Sequence, residues 1–220
     1  MKILALLSGG LDSTSMVADY LSKGNEVEAI NIVYGQRHAQ EIPRAQKIAE
    51  VLGIKLDVLD LRSYGASVTS ALTTDSIEVP KERYREGESS TVVPGRNGLF
   101  AFAAAGIAAS RGFDAVAMAT HGGDHLVYAD CRPSFNRAID LATQEAVGVR
   151  VFTPFETTPK SGVVKIGHLA GAPLALSWSC YENGEIQCGT CASCIARHEA
   201  FLLAGIPDPT QYEVPPSNKE

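Results

Sequence analysis

Nowhere in the 220 residues does an unbroken apolar stretch reach the ~20 residues that a membrane-spanning helix needs. The opening "MKILALLSGG" runs into glycines too soon to serve as a secretory signal. No membrane association is therefore expected, and the expected location is the cytoplasm. A basic surplus is missing as well: 19 Lys and Arg stand against 25 Asp and Glu, a net charge of −6. Extended nucleic-acid footprints are usually basic, so direct nucleic-acid binding is not expected and a small molecule is the better partner. Internal repeats and low-complexity tracts are absent, and only the tail "PDPTQYEVPPSNKE" reads as loosely ordered. At this length, with 45% hydrophobic residues, one main domain with at most a small appendage is expected.

One further absence is local. "LLSGGLDSTSM" (6–16) sets two glycines and small hydroxyl residues between an apolar run and a helix-like run, as a phosphate-binding turn would. A Walker loop would close on a lysine followed by Ser or Thr, and here the chain offers only Asp12, Ser13 and Thr14. Ordinary P-loop ATPase or kinase chemistry is thereby excluded. A helix N-terminus still presents unpaired N–H groups and partial positive charge, and Gly9 and Gly10 let an anion approach that backbone closely. The bland alternative is a tight turn in which Ser8 or Asp12 merely caps the helix.

What is present elsewhere is an α/β alternation. "KILALL" (2–7) reads as a strand, and a helical face begins after Asp12. "VEAINIVY" (27–34) is a second strand, residues 39–52 a second helix stopped by Gly53, and "IKLDVLDL" (54–61) a third strand. Residues 62–95 break the rhythm and read as a long connection, an active-site flap rather than a core element. A helix over 98–110 and the strand "FDAVAMAT" (113–120) restore the pattern, with "HGGDH" at that strand's carboxyl end. Helices over 134–146, 160–170 and 195–204 and a short strand in "VRVFTP" complete it. The pattern predicts an α/β, doubly wound parallel sheet.

Five cysteines are present, and four of them, Cys180, Cys188, Cys191 and Cys194, fall in C-x7-C-x2-C-x2-C spacing. In a cytosolic chain this is a metal set rather than a disulfide set. Four thiolates close a tetrahedral zinc site and leave no position for water, so the predicted zinc is structural. A thioredoxin-like redox reading of "CGTCASC" is weaker, because such sites follow a strand and need no additional cysteines.

"SGGLDS" resembles the S-G-G-x-D-S motif of the ATP pyrophosphatase, or PP-loop, superfamily. That resemblance implies an adenine nucleotide alpha hydrolase-like fold that holds the pyrophosphate part of ATP while a substrate oxygen attacks the α-phosphate. ATP, with Mg2+ expected beside it, would be bound by Ser8, Gly9, Gly10, Leu11, Asp12, Ser13 and Thr14 and leave as AMP and pyrophosphate. With "YGQRH" (34–38), "SALT" (70–73), "IEVP" (77–80), "VPGRN" (93–97), "DCRP" (130–133), "WSC" (178–180) and the cysteine cluster, the chain resembles the 7-cyano-7-deazaguanine synthase family over nearly its whole length. The implied organisation is an ATP-binding α/β domain over 1–175 and a zinc-binding element over 176–220 packed on it. The implied reaction turns 7-carboxy-7-deazaguanine and ammonia into the nitrile, through an adenylated acid and an adenylated amide, for queuosine-type 7-deazaguanine biosynthesis.

Residue roles follow on the same footing. Ser8, Asp12, Ser13, Arg96 and Lys160 are the expected catalytic set, with Arg96 and Asn97 placed to hold phosphoryl oxygens or the adenylate. Gln36, Arg37, His38, His121, Asp124, His125, Asp130 and Arg132 are the candidate substrate residues, while Cys131 stands apart as a buried thiol. The chain departs from the family pattern in three places. It carries "VPGRN" where "VPARN" is expected, Val33 where an acidic or amide residue is expected, and "HGGDHLVYADCRP" in place of an N-A-x-D loop with a Gly-Tyr-Pro lead. These bear on the acceptor and the product, which leaves a rival: adenylation of a deazaguanine carboxylate and transfer to an amine on a macromolecule. A thiolating enzyme, or a binding module with a vestigial turn, fits the acidic balance and the intact motif less well. A homodimer is the assembly left open.

Overall fold

The computed structural model describes residues 1–37, 40–79, 90–182 and 184–216. His38 and most of the "KERYREGESS" segment fall outside the described residues. Five strands, β1 (Lys2–Leu6), β2 (Glu26–Val33), β3 (Leu56–Asp60), β4 (Ala115–Ala117) and β5 (Arg150–Phe152), form one sheet in the order β3-β2-β1-β4-β5. All four pairings are parallel. The helices are α1 (Leu11–Ser22), α2 (Glu41–Leu52), α3 (Arg62–Ala66), α4 (Arg96–Arg111), α5 (Pro133–Val147), α6 (Lys160–Leu169) and α7 (Ala192–Ala204).

The sheet is apolar on both faces because each face is covered by helices. Ile3 and Ala5 of β1, with Val27 and Ala29 of β2, pack with residues of α1, α2, α6 and α7 in one buried cluster. Leu4 of β1, Ile30 of β2 and Val116 of β4 point the opposite way, into a cluster built on the alanines of α4. The period-two alternation of a strand thus distributes one short apolar run between two cores. Ala200, Phe201 and Ala204 of α7 belong to the first cluster, so the last helix is rooted in the same core as α1.

Two features fall short of the sequence expectation. The strand expected over 113–120 pairs only over Ala115–Ala117, since its neighbour β5 is three residues long. Residues 118–120 are thereby released toward the cavity described below, with one remaining bond from Met118 N to Phe152 O at 2.9 Å. The connection over 62–95 is not flap alone: it contains α3, and Leu72 and Val93 bury against Tyr34 in a satellite cluster. Ala71 is also buried, and its N bonds to Ser90 O at 2.7 Å.

Strand order reverses direction at β1. The chain winds outward through β2 and β3, then returns to the other side of β1 for β4 and β5. In an open parallel sheet this reversal leaves a crevice at the carboxyl ends of the two central strands, where ligands bind.

Candidate active site

The turn between β1 and α1 occupies that crevice. Gly9 has φ +92°, and a Cβ there would stand 2.4 Å from the Glu41 carbonyl oxygen. Only glycine fits, on conformation and on space. Inside the turn the hydroxyls bond to one another and to the backbone. Ser8 Oγ accepts from Gly10 N at 3.1 Å, Ser13 Oγ accepts from Ser8 N at 3.2 Å, and Thr14 Oγ1 donates to Gly10 O at 2.7 Å. Gly10, the N-cap of α1, has no side chain to satisfy the first helical N–H groups. The helix therefore opens with its dipole and donors aimed at the cavity.

Asp12 does not cap the helix. Its Oδ2 lies 3.3 Å from Lys160 Nζ and 3.8 Å from His121 Nε2, and its Oδ1 is buried without a hydrogen-bond partner among the described residues. Burial works against the ionised carboxyl, but Lys160 and His121 outweigh it and hold the group below its ordinary range. Burial likewise disfavours the charged form of Lys160, and Asp12 with Asp124 outweighs it in the other direction. His121 is buried; its Nδ1 accepts from Gly123 N at 3.0 Å, which leaves Nε2 as the protonated nitrogen in the neutral ring, 3.3 Å from Asp124 Oδ1. Close contact between α1 and α6 makes this meeting possible. A Cβ on Gly167 would collide with Ser15 Oγ at 2.2 Å, so the two helices approach through small residues and their N-termini converge.

The cavity in front of the turn measures about 270 Å³. Ser8, Gly10, Leu11, Asp12, Ser13, Lys160 and Asp124 line one part, and Arg96, Asn97, Ile32, Tyr34, Phe100 and Tyr128 line another. Arg96 opens α4, its guanidinium 5.6 Å from the Tyr34 ring centre and 6.0 Å from that of Phe100. Its Nη1 donates to Tyr34 OH at 3.3 Å, and no carboxylate lies within ion-pair distance among the described residues. A cation set against two aromatic rings, with no ion-pair partner among the described residues, suits an anionic ligand. Cys131 also lines the cavity, but burial pushes its thiol up, so it stays protonated.

Other predicted residues are turned to local duties. Gln36 Oε1 accepts from Tyr34 N at 2.9 Å. Arg37 Nη1 donates to the carbonyls of Ala71 and Ile77, and Nε pairs with Asp75 at 3.2 Å, which binds the 70–77 segment to the end of β2. Asp130 Oδ2 accepts from Asn97 N at 3.1 Å and serves as an acceptor for the start of α4. Arg132 Nε donates to His125 O at 3.2 Å. None of these four, nor His125, lines the cavity. Sequence reasoning missed Tyr34, Phe100, Thr120, Tyr128 and Trp178 as lining residues. Phe100 was within reach of it, being four residues from Arg96 on one helix face.

The four cysteines form a second centre beside the cavity. Their sulfur atoms all lie within 4.8 Å of one another, and the Cys188 and Cys194 sulfurs are 4.0 Å apart. A tetrahedral ion with bonds of about 2.3 Å would place sulfurs roughly 3.8 Å apart, so the set fits a metal. Backbone N–H groups already point at the sulfurs: Cys188 N and Glu182 N toward Cys180, Thr190 N and Cys191 N toward Cys188. Hydrogen bonds from Cys180 hold the Cys191 thiol far below its ordinary value, while Cys191 pushes Cys180 up. The thiols compete for protons that a cation would displace. Gly189, at φ +77°, permits the turn, since a Cβ there would strike Val214 O.

A family model described as "Queuosine biosynthesis protein QueC" matches residues 2–205. The chain is similar to the 7-cyano-7-deazaguanine synthase of Ruegeria pomeroyi, 43% identical over 98% of this chain and 96% of that protein. It is 42% identical to that of Allorhizobium ampelinum, over 98% and 94%. Among solved structures, NMN synthetase from Francisella tularensis superposes with a TM-score of 0.51 at 16% identity, over 93% of this chain and 77% of that one. A 4-thiouridine synthetase in complex with RNA and bound ATP gives 0.52 at 19% identity, over 96% and 47%. These two likenesses show the fold alone. With the S-G-G-x-D-S turn at the sheet crevice and the four-cysteine centre beside it, the chain belongs to the QueC family of queuosine biosynthesis proteins.

Proposed function

We propose that the chain converts 7-carboxy-7-deazaguanine, ammonia and ATP into 7-cyano-7-deazaguanine, with release of AMP and pyrophosphate. The observation that carries this reading is one cavity holding both a phosphate turn and an aromatic-held Arg96 that forms no ion pair among the described residues. The carboxylate oxygen attacks the α-phosphorus and pyrophosphate leaves. Ammonia then displaces AMP to give the amide and sheds a proton. The amide oxygen attacks the α-phosphorus of a second ATP, a second pyrophosphate leaves, and loss of AMP with the two remaining N–H protons leaves the nitrile. Adenylation turns a poor oxygen leaving group into a stabilised phosphate anion at both stages.

Ser8 to Thr14 would hold the pyrophosphate part of ATP at the α1 N-terminus. Lys160 and Arg96 would neutralise charge developing on the phosphoryl oxygens and the adenylate. Tyr34 and Phe100 offer flat faces to the base, while Asn97, Asp124 and Tyr128 supply directional polar atoms along its edge. Mg2+ would accompany ATP, and Asp12 Oδ1, which has no hydrogen-bond partner among the described residues, is the oxygen placed to meet it. Zn2+ is the ion we assign to Cys180, Cys188, Cys191 and Cys194, in a structural role, with residues 176–220 forming an element packed on the ATP-binding domain. A chain that consumes ATP and keeps four thiols reduced belongs in the cytoplasm.

Incubation with 7-carboxy-7-deazaguanine, ATP, Mg2+ and ammonium, followed by mass analysis of the base, tests the reading. The expected product is the nitrile. An adenylated acid that accumulates with no amide or nitrile would point instead to transfer onto a macromolecular amine.

A further inference from the structure

Arg197 is 0% exposed and among the largest fully buried side chains. A buried guanidinium is costly unless its donors are used, and these are. Nη1 donates to Ser177 Oγ at 2.8 Å and Ser179 Oγ at 3.2 Å, Nη2 to Leu174 O at 2.9 Å, and Nε to Thr210 Oγ1 at 2.6 Å. The carboxylate paired with it, Asp208, is 3.9 Å away and is itself engaged by Tyr212 OH at 2.7 Å. Three of the four bonds go to a single short strap, residues 174–179. Arg197 stands one turn beyond Cys194 on α7, so the strap is clamped to the helix that carries two of the four cysteines, one of them as its N-cap.

The strap ends at the phosphate turn. Trp178 N donates to Gly9 O at 2.9 Å, and Trp178 and Ser179 both line the cavity. In a trans peptide the carbonyl and the next N–H point in opposite directions. Holding Gly9 O toward Trp178 therefore turns Gly10 N toward Ser8 Oγ and the cavity. A peptide flanked by two glycines has little steric barrier to the flipped arrangement. Flipped, it would present a carbonyl oxygen to the phosphates and repel them. The bond from Trp178 decides between the two, and Arg197 fixes where Trp178 sits. The Arg197 charge is also felt at Asp12 and Lys160.

We propose that Arg197 is a positioning residue for ATP: through Ser177, Leu174 and Trp178 N it holds the Gly9–Gly10 peptide in its phosphate-accepting orientation, and so couples the four-cysteine element to nucleotide binding. This rests on the ATP site proposed above. The test is a direct titration of ATP and Mg2+, without acid or ammonia, into folded, metal-loaded protein carrying Arg197→Lys or Ser177→Ala. Lysine keeps the charge but cannot span the acceptors of a planar fork.

Roughly tenfold weaker ATP binding is expected in both variants, the loss of about one hydrogen bond to a charged group. Metal content and the KM for the carboxylated base should stay at their unsubstituted values, with KM for ATP rising and kcat held. A lowered melting temperature with unchanged ATP affinity would make Arg197 merely structural and overturn the proposal. If Arg197→Lys does not fold, Ser177→Ala decides alone, because it retains the buried guanidinium and its other partners. Failure of the unsubstituted protein to bind ATP would overturn the ATP site itself, and the positioning role with it.

Discussion

Lys160 Nζ stands 3.3 Å from Asp12 Oδ2, so the first turn of α6 meets the first turn of α1 at the edge of the phosphate turn. Replacing Lys160 with Met should lower AMP formation roughly a hundredfold, the scale for removing one group that meets developing charge. Thermal stability should change far less. Activity equal to that of the unsubstituted protein would remove Lys160 from the reaction.

The same pair sets a pH window. The Asp12 carboxyl is held below its ordinary 3.8, so its contribution to stability is present above that value and is lost as pH falls through the lower folded value. Lys160 is held above 10.5, so its contribution is present below that and is lost as pH rises through the higher folded value. Between about pH 5 and 9 the pair should therefore leave stability flat. In Lys160→Met the main support for the Asp12 carboxylate is gone while burial remains, so the folded carboxyl rises and the stability lost on acidification shrinks: the variant should be less stable at pH 7 yet lose less between pH 7 and pH 3 than the unsubstituted protein. Unfolding free energies of the two proteins at those two pH values check this; equal losses would contradict it.

About one metal ion per chain is expected in purified protein, because four thiol sulfurs converge within 4.8 Å. Cys191→Ser, or prolonged treatment with a strong chelator, should lower the melting temperature and the folded fraction, since metal binding contributes to folding free energy. Elemental analysis beside a thermal melt gives the answer. A metal-free preparation with an unchanged melt would rule out the structural role.

Gly9 and Gly95 both lie at positive φ, and the two should respond differently to alanine. At Gly95 the nearest atom to a new Cβ is Tyr64 OH at 3.6 Å, so Gly95→Ala should cost about 1 kcal/mol of backbone strain and leave turnover intact. At Gly9 the same change adds a collision with Glu41 O and should abolish ATP binding. Denaturation curves and ATP titrations of the two variants separate strain from lost function.

Arg96→Met should reduce turnover by roughly two to three orders of magnitude, because it removes a cavity cation that forms no ion pair among the described residues. Arg96→Lys should restore part of this only, as an ammonium lacks the planar fork that reaches Tyr34 OH and a phosphoryl group together. Steady-state rates at saturating ATP distinguish the three proteins; full restoration by lysine would mean that charge alone suffices.

Some of this was legible in the sequence for a plain reason. Where a local motif carries its own geometry, as in the strand-turn-helix at "LLSGGLDSTSM" or the cysteine spacing, neighbours in sequence remain neighbours in space. The helix over 134–146 was found within one residue at each end, since Pro133 opens it and Gly148 closes it. Polar residues near a suspected site were harder. Arg37 and Asp130 have the right chemistry for a ligand, but each spends donors or acceptors on backbone groups from other parts of the chain. Nothing in their local sequence reveals that.

The sequence by itself determined the α/β alternation, the phosphate turn and the four-cysteine cluster, because each is written in residues close enough to define their own conformation. Only the tertiary structure decided which distant groups share the cavity. The reversal of strand order at β1 brought Lys160 and Asp124 to Asp12. The packing of α4 set Arg96 against the rings of Tyr34 and Phe100. A fully buried Arg197 tied α7 to the strap that holds Gly9. Contacts of that kind depend on where whole helices come to rest, and that is fixed by the two cores on either face of the sheet rather than by any run of neighbouring residues.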